Sequence, residues 1–473
     1  MNSRESTVGL ECPATAGIPR QHSRQPEDDS IENAFAEGRR ARLSGYESKA
    51  ELLSSKIQYG MHLRKISSLR PALICRLVLL AVIASLSPLF ASGAQTVDTD
   101  PLNRDPEVVD AFQHFYIMDY EGALTRFNRV QAKHPADPIA TDYILYTALF
   151  QELFRLDLLD TTFYANDGFF TGRHIVVEDP KVRDQIKALS DKASDQAEEQ
   201  LKKNPNDTNA LFARGWARSL QACYLAMVER SFGAGLKLAL GARNDHARVL
   251  ELDPNYVDAK MVVGIYQYVV GALPIAFKIL VGMAGIHGSR ATGMAMLQDS
   301  ADHGVITSVE SRTAMMLFLR RDAKYEEAKQ IAEGLARQYP RDFLFALEVA
   351  NLSKDAGEGM KAAAAYRHVI EEAKRPGYFP SSHLELAYFG LGDSLRGQKM
   401  YAEAAEAYRE GADMPTTSPE LKRRCLLAAG QVYDLMNERD KAREQYQAVI
   451  AAGSDTAQAD LARKFQRVAY TGR

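Results

Sequence analysis

Apolar and small residues recur along most of this chain at intervals of three and four, the spacing that lines one face of an α-helix. The pattern is sharpest over residues 388–415, YFGLGDSLRGQKMYAEAAEAYREGADMP. It predicts two short antiparallel helices. Leu391-Gly392 lies on the first, Gly397-Gln398 makes the turn, and Tyr401, Ala404 and Tyr408 share one face of the second. Pro415 helps close the unit, because proline cannot continue a helix. Gly392 and Ala404 let two helix backbones approach, and Tyr401 and Tyr408 fill the space on either side.

The register repeats. It is met at Tyr120, Ala123, Phe127 and Val130, then at Tyr325, Ala328, Ala332 and Leu335. It returns at Ala362, Tyr366 and Val369, and at Gly430, Ala442, Tyr446 and Val449. Ala328, Ala362, Ala404 and Ala442 are spaced by 34, 42 and 38 residues. The basic period of 34, with Leu-Gly, an aromatic, Ala, a second aromatic and Pro in order, resembles the tetratricopeptide repeat. The resemblance implies an all-α, TPR-like α-solenoid of about seven to nine antiparallel helix pairs. It also implies a scaffold that binds a protein or peptide partner through a concave groove. Repeats are regular over 305–473, where residues 455–469 form a C-terminal capping helix. They are degenerate over 107–304. The middle section, with ALFARGWARSLQACY, LELDPNYVDAKMVVGIYQYVVGALP and FKILVGMAGIHGSRATGMAMLQDSADHG, resembles the tetratricopeptide-39-type, inclusion-body-clearance family. That family offers no catalytic signature to carry over.

The first hundred residues break the pattern. Residues 1–60 are polar and lack the apolar content for a core, so they read as a disordered extension or a mis-assigned start. Residues 61–94 follow the order of a secretory signal peptide. Arg64, Lys65, Arg70 and Arg76 are basic, an apolar run follows over 77–90, and Ser92 and Ala94 suit cleavage. Residues 95–106 read as a loose linker. The expectation is an exported protein, periplasmic or extracellular; the alternative is a membrane anchor formed by an uncleaved signal segment.

Charge and chemistry narrow the function. A formal net charge of −3 gives no basic face for nucleic acid. There is no phosphate loop, no nucleophile elbow, no H-E-x-x-H and no C-x-x-C. No catalytic residue, cofactor or metal is therefore predicted, and the chain is read as a non-enzyme. Cys223 and Cys425 stand too far apart to pair in a stack where only neighbouring repeats touch. Two surfaces stand out as partner-binding candidates. First helices line the groove in this fold, and counting from the Leu-Gly position places Arg320, Asn351, Lys354, Phe389, Asp393, Arg396, Gln431 and Asp434 there. A carboxylate clamp, with Lys and Asn on one repeat, is not matched. The connector over 160–180 supplies the second surface, with Phe163, Tyr164, Phe169, Phe170 and Arg173. The apolar stretch 264–285, GIYQYVVGALPIAFKILVGMAG, is long enough to suggest a membrane or lipid contact. Pro274 at its middle favours a buried helix–turn–helix instead.

The signal pattern gives a direct expectation: the mature protein begins within a few residues of Gln95. N-terminal sequencing of native protein checks it, and peptides from residues 1–60 in mature material would exclude it.

Overall fold

A computed structural model describes residues 97–165, 178–273 and 287–472. They belong to a unit spanning Gly93–Arg473. The described residues hold seventeen α-helices and no strand. Eight consecutive pairs and a final helix account for them. The pairs are α1 (Pro106–Phe115) with α2 (Tyr120–Lys133), α3 (Pro138–Arg155) with α4 (Pro180–Lys203), α5 (Thr208–Met227) with α6 (Phe232–Leu252), and α7 (Lys260–Ala272) with α8 (Arg290–His303). Then come α9 (Ser308–Arg321) with α10 (Tyr325–Gln338), α11 (Phe343–Asp355) with α12 (Gly359–Ala373), α13 (Leu384–Gly397) with α14 (Tyr401–Asp413), and α15 (Pro419–Leu435) with α16 (Arg439–Ala451). Helix α17 (Ala457–Arg467) covers the last pair. Each helix packs on the next, as in a tetratricopeptide-type solenoid.

Local chemistry fixes the boundaries. Asp105, Asp137, Asp179, Asp207 and Asp342 each cap the first helix of a pair, or α4, by accepting a backbone N–H of the first turn. Pro at the first helical position follows three of them and costs no hydrogen bond there. Most turns inside a pair share one device, a single residue in the left-handed region: Met118, Asp157, Arg230, Ala323, Gly357, Lys399 or Asn437. In the unit over 388–415 this residue is Lys399, two positions beyond the expected Gly397, which is still helical. The reason is the hydrogen-bond closure of α13. Lys399 N–H donates to the Arg396 carbonyl at 3.0 Å and Met400 N–H to the Leu395 carbonyl at 2.9 Å. This is the Schellman pattern, which sets the left-handed residue by count from the helix end.

Packing explains the Leu-Gly signature. A Cβ at Gly392 would lie 2.6 Å from the Tyr408 ring, and one at Gly430 would lie 2.5 Å from the Tyr446 ring. The tyrosine of the second helix therefore occupies the space that glycine leaves on the first. Both tyrosines are fully buried, as is Ala404. Their hydroxyls, and that of the equally buried Tyr366, still find acceptors: Tyr408 donates to Asp393 at 2.6 Å, Tyr446 to Asp434 at 2.8 Å, and Tyr366 to Asn351 at 2.5 Å. Between α7 and α8 the contact is closer still, backbone on backbone at Gly264, Gly271 and Gly293. This is the described half of the apolar stretch; residues 274–286 lie outside the described residues. No described helix is long and apolar enough to cross a membrane.

Two expectations change. The stretch expected to be a loose linker is folded from Val97. Asp98 N–H donates to the Asn255 carbonyl, Asp100 N–H donates to the Tyr256 hydroxyl, and a 3-10 helix over Pro101–Arg104 buries Leu102 and Asn103. Contacts are also not confined to neighbouring repeats. Tyr116 on the first pair donates to Glu310 on α9 at 2.8 Å and packs its ring 4.9 Å from Tyr339. Cys223 and Cys425 are both free, as expected, and burial pushes each thiol up to about 12.

The packing register is tested by Ala404→Leu. Extra methylenes at this fully buried contact should cost about 1–3 kcal/mol in urea unfolding, against little change for the exposed Glu406→Ala. Equal midpoints for the two variants would refute the register.

Candidate functional site

The candidate surface runs over the first helices α9, α11, α13 and α15. At its α9–α13 end the chain itself occupies it. Helix α3 ends in the left-handed turn at Asp157, and residues 157–165 then run across α9, α11 and the start of α13. The centre is Arg320, whose guanidinium is almost sealed from water. It donates to Glu348 at 2.8 Å, to Asp355 at 2.7 Å through Nε, and to the Thr161 hydroxyl at 2.7 Å. Thr161 in turn donates to Glu348, and Asn351 donates to Asp160 at 3.3 Å. Arg321 donates to the Tyr164 carbonyl at 2.8 Å. Burial pushes the Glu348 carboxyl up, while Arg320 pulls it back.

The structure thus divides the eight groove candidates. Arg320, Asn351 and Asp434 are buried. Arg320 and Asn351 hold the chain's own segment. Asp434 accepts from Tyr446, from Arg439 at 2.8 Å and from the Tyr470 N–H at 2.8 Å. These three were expected to face an open groove; a buried charge or amide persists only when its bonds are satisfied, and here the protein satisfies them. Lys354, Phe389, Asp393, Arg396 and Gln431 are half-buried and lie on α11, α13 and α15. The Lys354 ammonium is 3.7 Å from the Asp393 carboxylate. Arg424 stacks over the Phe389 ring at 4.5 Å. Arg396 donates to Gln431 at 3.0 Å and to the Tyr470 hydroxyl at 2.7 Å. Beside them opens a pocket of about 530 Å³, lined by Asp393, Arg396, Tyr401, Leu435 and the tail residues Tyr470 and Thr471 among others.

Of the connector candidates, Tyr164 tucks inward and its hydroxyl donates to the Leu158 carbonyl at 2.8 Å. Phe169, Phe170 and Arg173 lie outside the described residues, as does the side chain of Phe163.

Sequence reading missed two features. The first is a cavity of about 400 Å³ between α1 and the α8–α10 region, lined by Arg104, Phe112, Tyr116, Arg312 and Tyr339 among others. The second is a cluster that unites Asp157 with His383 and Glu385, which bear atoms of the kind that ligate metals. Neither has a local motif, because each joins segments far apart in the chain. Two other buried groups are structural in character. His246 packs against Gly215 and Phe212, and burial lowers its pKa to about 3, so it stays neutral. Its neighbour Asp245 is held by Arg214 at 2.6 Å and Arg218 at 2.7 Å.

No family model matches the chain, and no curated protein does. Similar solved structures are helical-repeat proteins. Cut9, in the APC/C hetero-tetramer Cut9-Hcn1, is 12% identical over 78% of this chain and 57% of its own, with a TM-score of 0.42. The chain thus spans little more than half of that protein. Yeast Tom70 is 12% identical over 76% of this chain and 86% of its own, with a TM-score of 0.36. A tetratricopeptide repeat protein from Parabacteroides merdae is 14% identical over 68% and 97%, with a TM-score of 0.30. The fold is read from this chain's own helices, and these likenesses add no function to it.

The Arg320 centre has a measurable consequence. Arg320→Met leaves Glu348 buried without its counter-charge and should lose about 3–5 kcal/mol in urea unfolding. Adding Glu348→Met should restore most of that loss, since an apolar pair removes the unmatched charge. A single variant as stable as wild type would mean that the segment over 157–165 does not dock there.

Proposed function

We propose that the chain is an exported scaffold that holds an extended peptide of a protein partner along Lys354, Phe389, Asp393, Arg396 and Gln431. The observation that carries the reading is the division of the inner face. Where residues 157–165 run, the polar groups are consumed; on α11, α13 and α15 a strip keeps part of its surface in water beside a 530 Å³ pocket. The strip offers an aromatic face, two cations, a carboxylate and an amide, which suits a peptide with an apolar anchor and mixed polar groups. Arg396 is already fixed by Gln431 and Tyr470, so ordering it on binding costs little. The reading is a binding role rather than catalysis. In keeping with it, Cys425 is buried and Cys223 half-buried, and desolvation pushes both thiols up to about 12, which makes them poor nucleophiles at neutral pH. Export is supported by the ordered signal pattern over 61–94 and by the tie of residues 97–104 to the folded body directly after it.

A second reading is contact with an apolar partner or a lipid surface near the stretch 264–285. It has in its favour the exposed side chains Leu236 on α6 and Val269 on α7, 59% and 48% exposed.

The groove reading predicts the fate of captured partners. Full-length protein and its Lys354→Glu/Phe389→Ala variant, each immobilised, are exposed to the exported protein fraction. Partners of the strip should bind wild type at least tenfold better, the loss expected for a central anchor. Equal retention by both proteins would move the site elsewhere.

A further inference from the structure

We propose that Asp157, His383 and Glu385 form a binding site for one divalent transition-metal ion, which clips the end of α3 to the start of α13. The three residues come from segments more than two hundred positions apart. Asp157 is the left-handed residue closing α3. His383 precedes the first residue of α13, and Glu385 is its second. One potential ligand atom of each, among them the imidazole Nδ1 and two carboxylate oxygens, lies within 4.8 Å of the others. His383 Nδ1 is hydrogen-bonded to the Asp157 carboxylate and stands 3.6 Å from Glu385 Oε1.

Glu385 points to a ligand. It is wholly buried, yet Oε1, aimed at the imidazole, has no hydrogen-bond partner. Its other oxygen accepts from the Thr416 hydroxyl at 2.8 Å, which holds the carboxylate in that orientation. An orienting bond on the far side of a ligand is what metal sites use to fix their first ligands. An orphaned buried carboxylate oxygen is otherwise costly.

Charge balance points the same way. Two buried carboxylates face one imidazole, so even a protonated His383 neutralises only one of them. The buried Arg320 guanidinium is already matched by Glu348 and Asp355. A divalent ion held by all three groups balances both carboxylates. The surrounding wall is Phe154, whose ring centroid lies 4.2 Å from that of the imidazole, with Leu159, Leu344, Leu386 and Asp160, whose carboxylate already accepts from the Thr162 N–H and from Asn351. The four apolar side chains strengthen ion–ligand attraction and exclude competing water.

One nitrogen and two oxygen ligands suit zinc or another borderline first-row ion at about 2.0–2.2 Å. Ligands at that distance sit about 3.4 Å apart in a tetrahedron, by simple geometry on the same bond length. The Glu385–His383 spacing already fits. The Asp157 carboxylate must swing away from the imidazole by roughly an ångström, and the proton of their hydrogen bond is released as the ion enters. Asp157 and Glu385 are buried and His383 is mostly so, and the place of the site between the end of α3 and the start of α13 gives it the role of joining segments.

The test uses the full-length protein, stripped with EDTA and then titrated with Co²⁺ and Zn²⁺. One Co²⁺ per chain should bind with visible d–d absorption, and Zn²⁺ should displace it. Zn²⁺ should raise Tm by several degrees, and EDTA should reverse the rise. Glu385→Gln, which keeps an acceptor for Thr416, should weaken binding at least tenfold with helical circular dichroism unchanged. Asp157→Asn, which keeps a hydrogen bond to the imidazole, gives a second variant should the first fail to fold. A folded wild type that takes up neither ion overturns the proposal. So does an affinity unchanged in the folded variants, the result expected if surface histidines bind the metal.

Discussion

A guanidinium taken out of water must be matched on every side, and Arg320 is matched only because two distant parts of the chain meet around it. Glu348 and Asp355 come from the next repeat, as ordinary stacking allows. The Thr161 hydroxyl comes from the second pair, brought there by the end of α3. Alone, the Arg320–Glu348 pair would be a poor investment, since desolvation consumes most of the attraction. With the hydroxyl and Asn351 completing the set, it becomes a specific lock that accepts one docking of α3. Tyr116 on Glu310 and Asp157 on His383 follow from that docking. A solenoid otherwise stable pair by pair thereby gains a long-range connection that repeat energetics alone do not supply.

The pairwise part of this architecture was legible in the sequence. Period and small residues located the helices, because Gly392 with Tyr408 and Gly430 with Tyr446 are contacts between adjacent elements. Caps such as Asp137 and Asp342 act within one turn of their own position. The long-range part was not legible. Nothing near Thr161 announces that its partner is Arg320, and nothing near His383 announces Asp157. The groove count failed at Asn351 and Asp434 for a related reason. Polar residues on the first helices also serve as acceptors for buried tyrosine hydroxyls from the second helices. A Tyr on one helix and a polar residue on its partner is a readable pair, and it separates structural acceptors from open ones. Asp393 shows that one residue can be both, since it accepts from Tyr408 and remains half exposed.

Helix α13 connects the parts of the molecule argued to matter. Its start carries Glu385, with His383 just before it, and its far end carries Asp393 and Arg396 at the pocket. A helix of 14 residues rises about 21 Å at 1.5 Å per residue and moves as a unit. Whatever fixes its first turn also fixes where Phe389 and Asp393 stand. The segment over 157–165 therefore does more than fill one end of the inner face: by holding α9, α11 and α13 in register it sets the spacing of the strip beside it. A partner on that strip gains from a surface already ordered, and anything that loosened the docking of α3 would charge the partner the entropy of ordering it again.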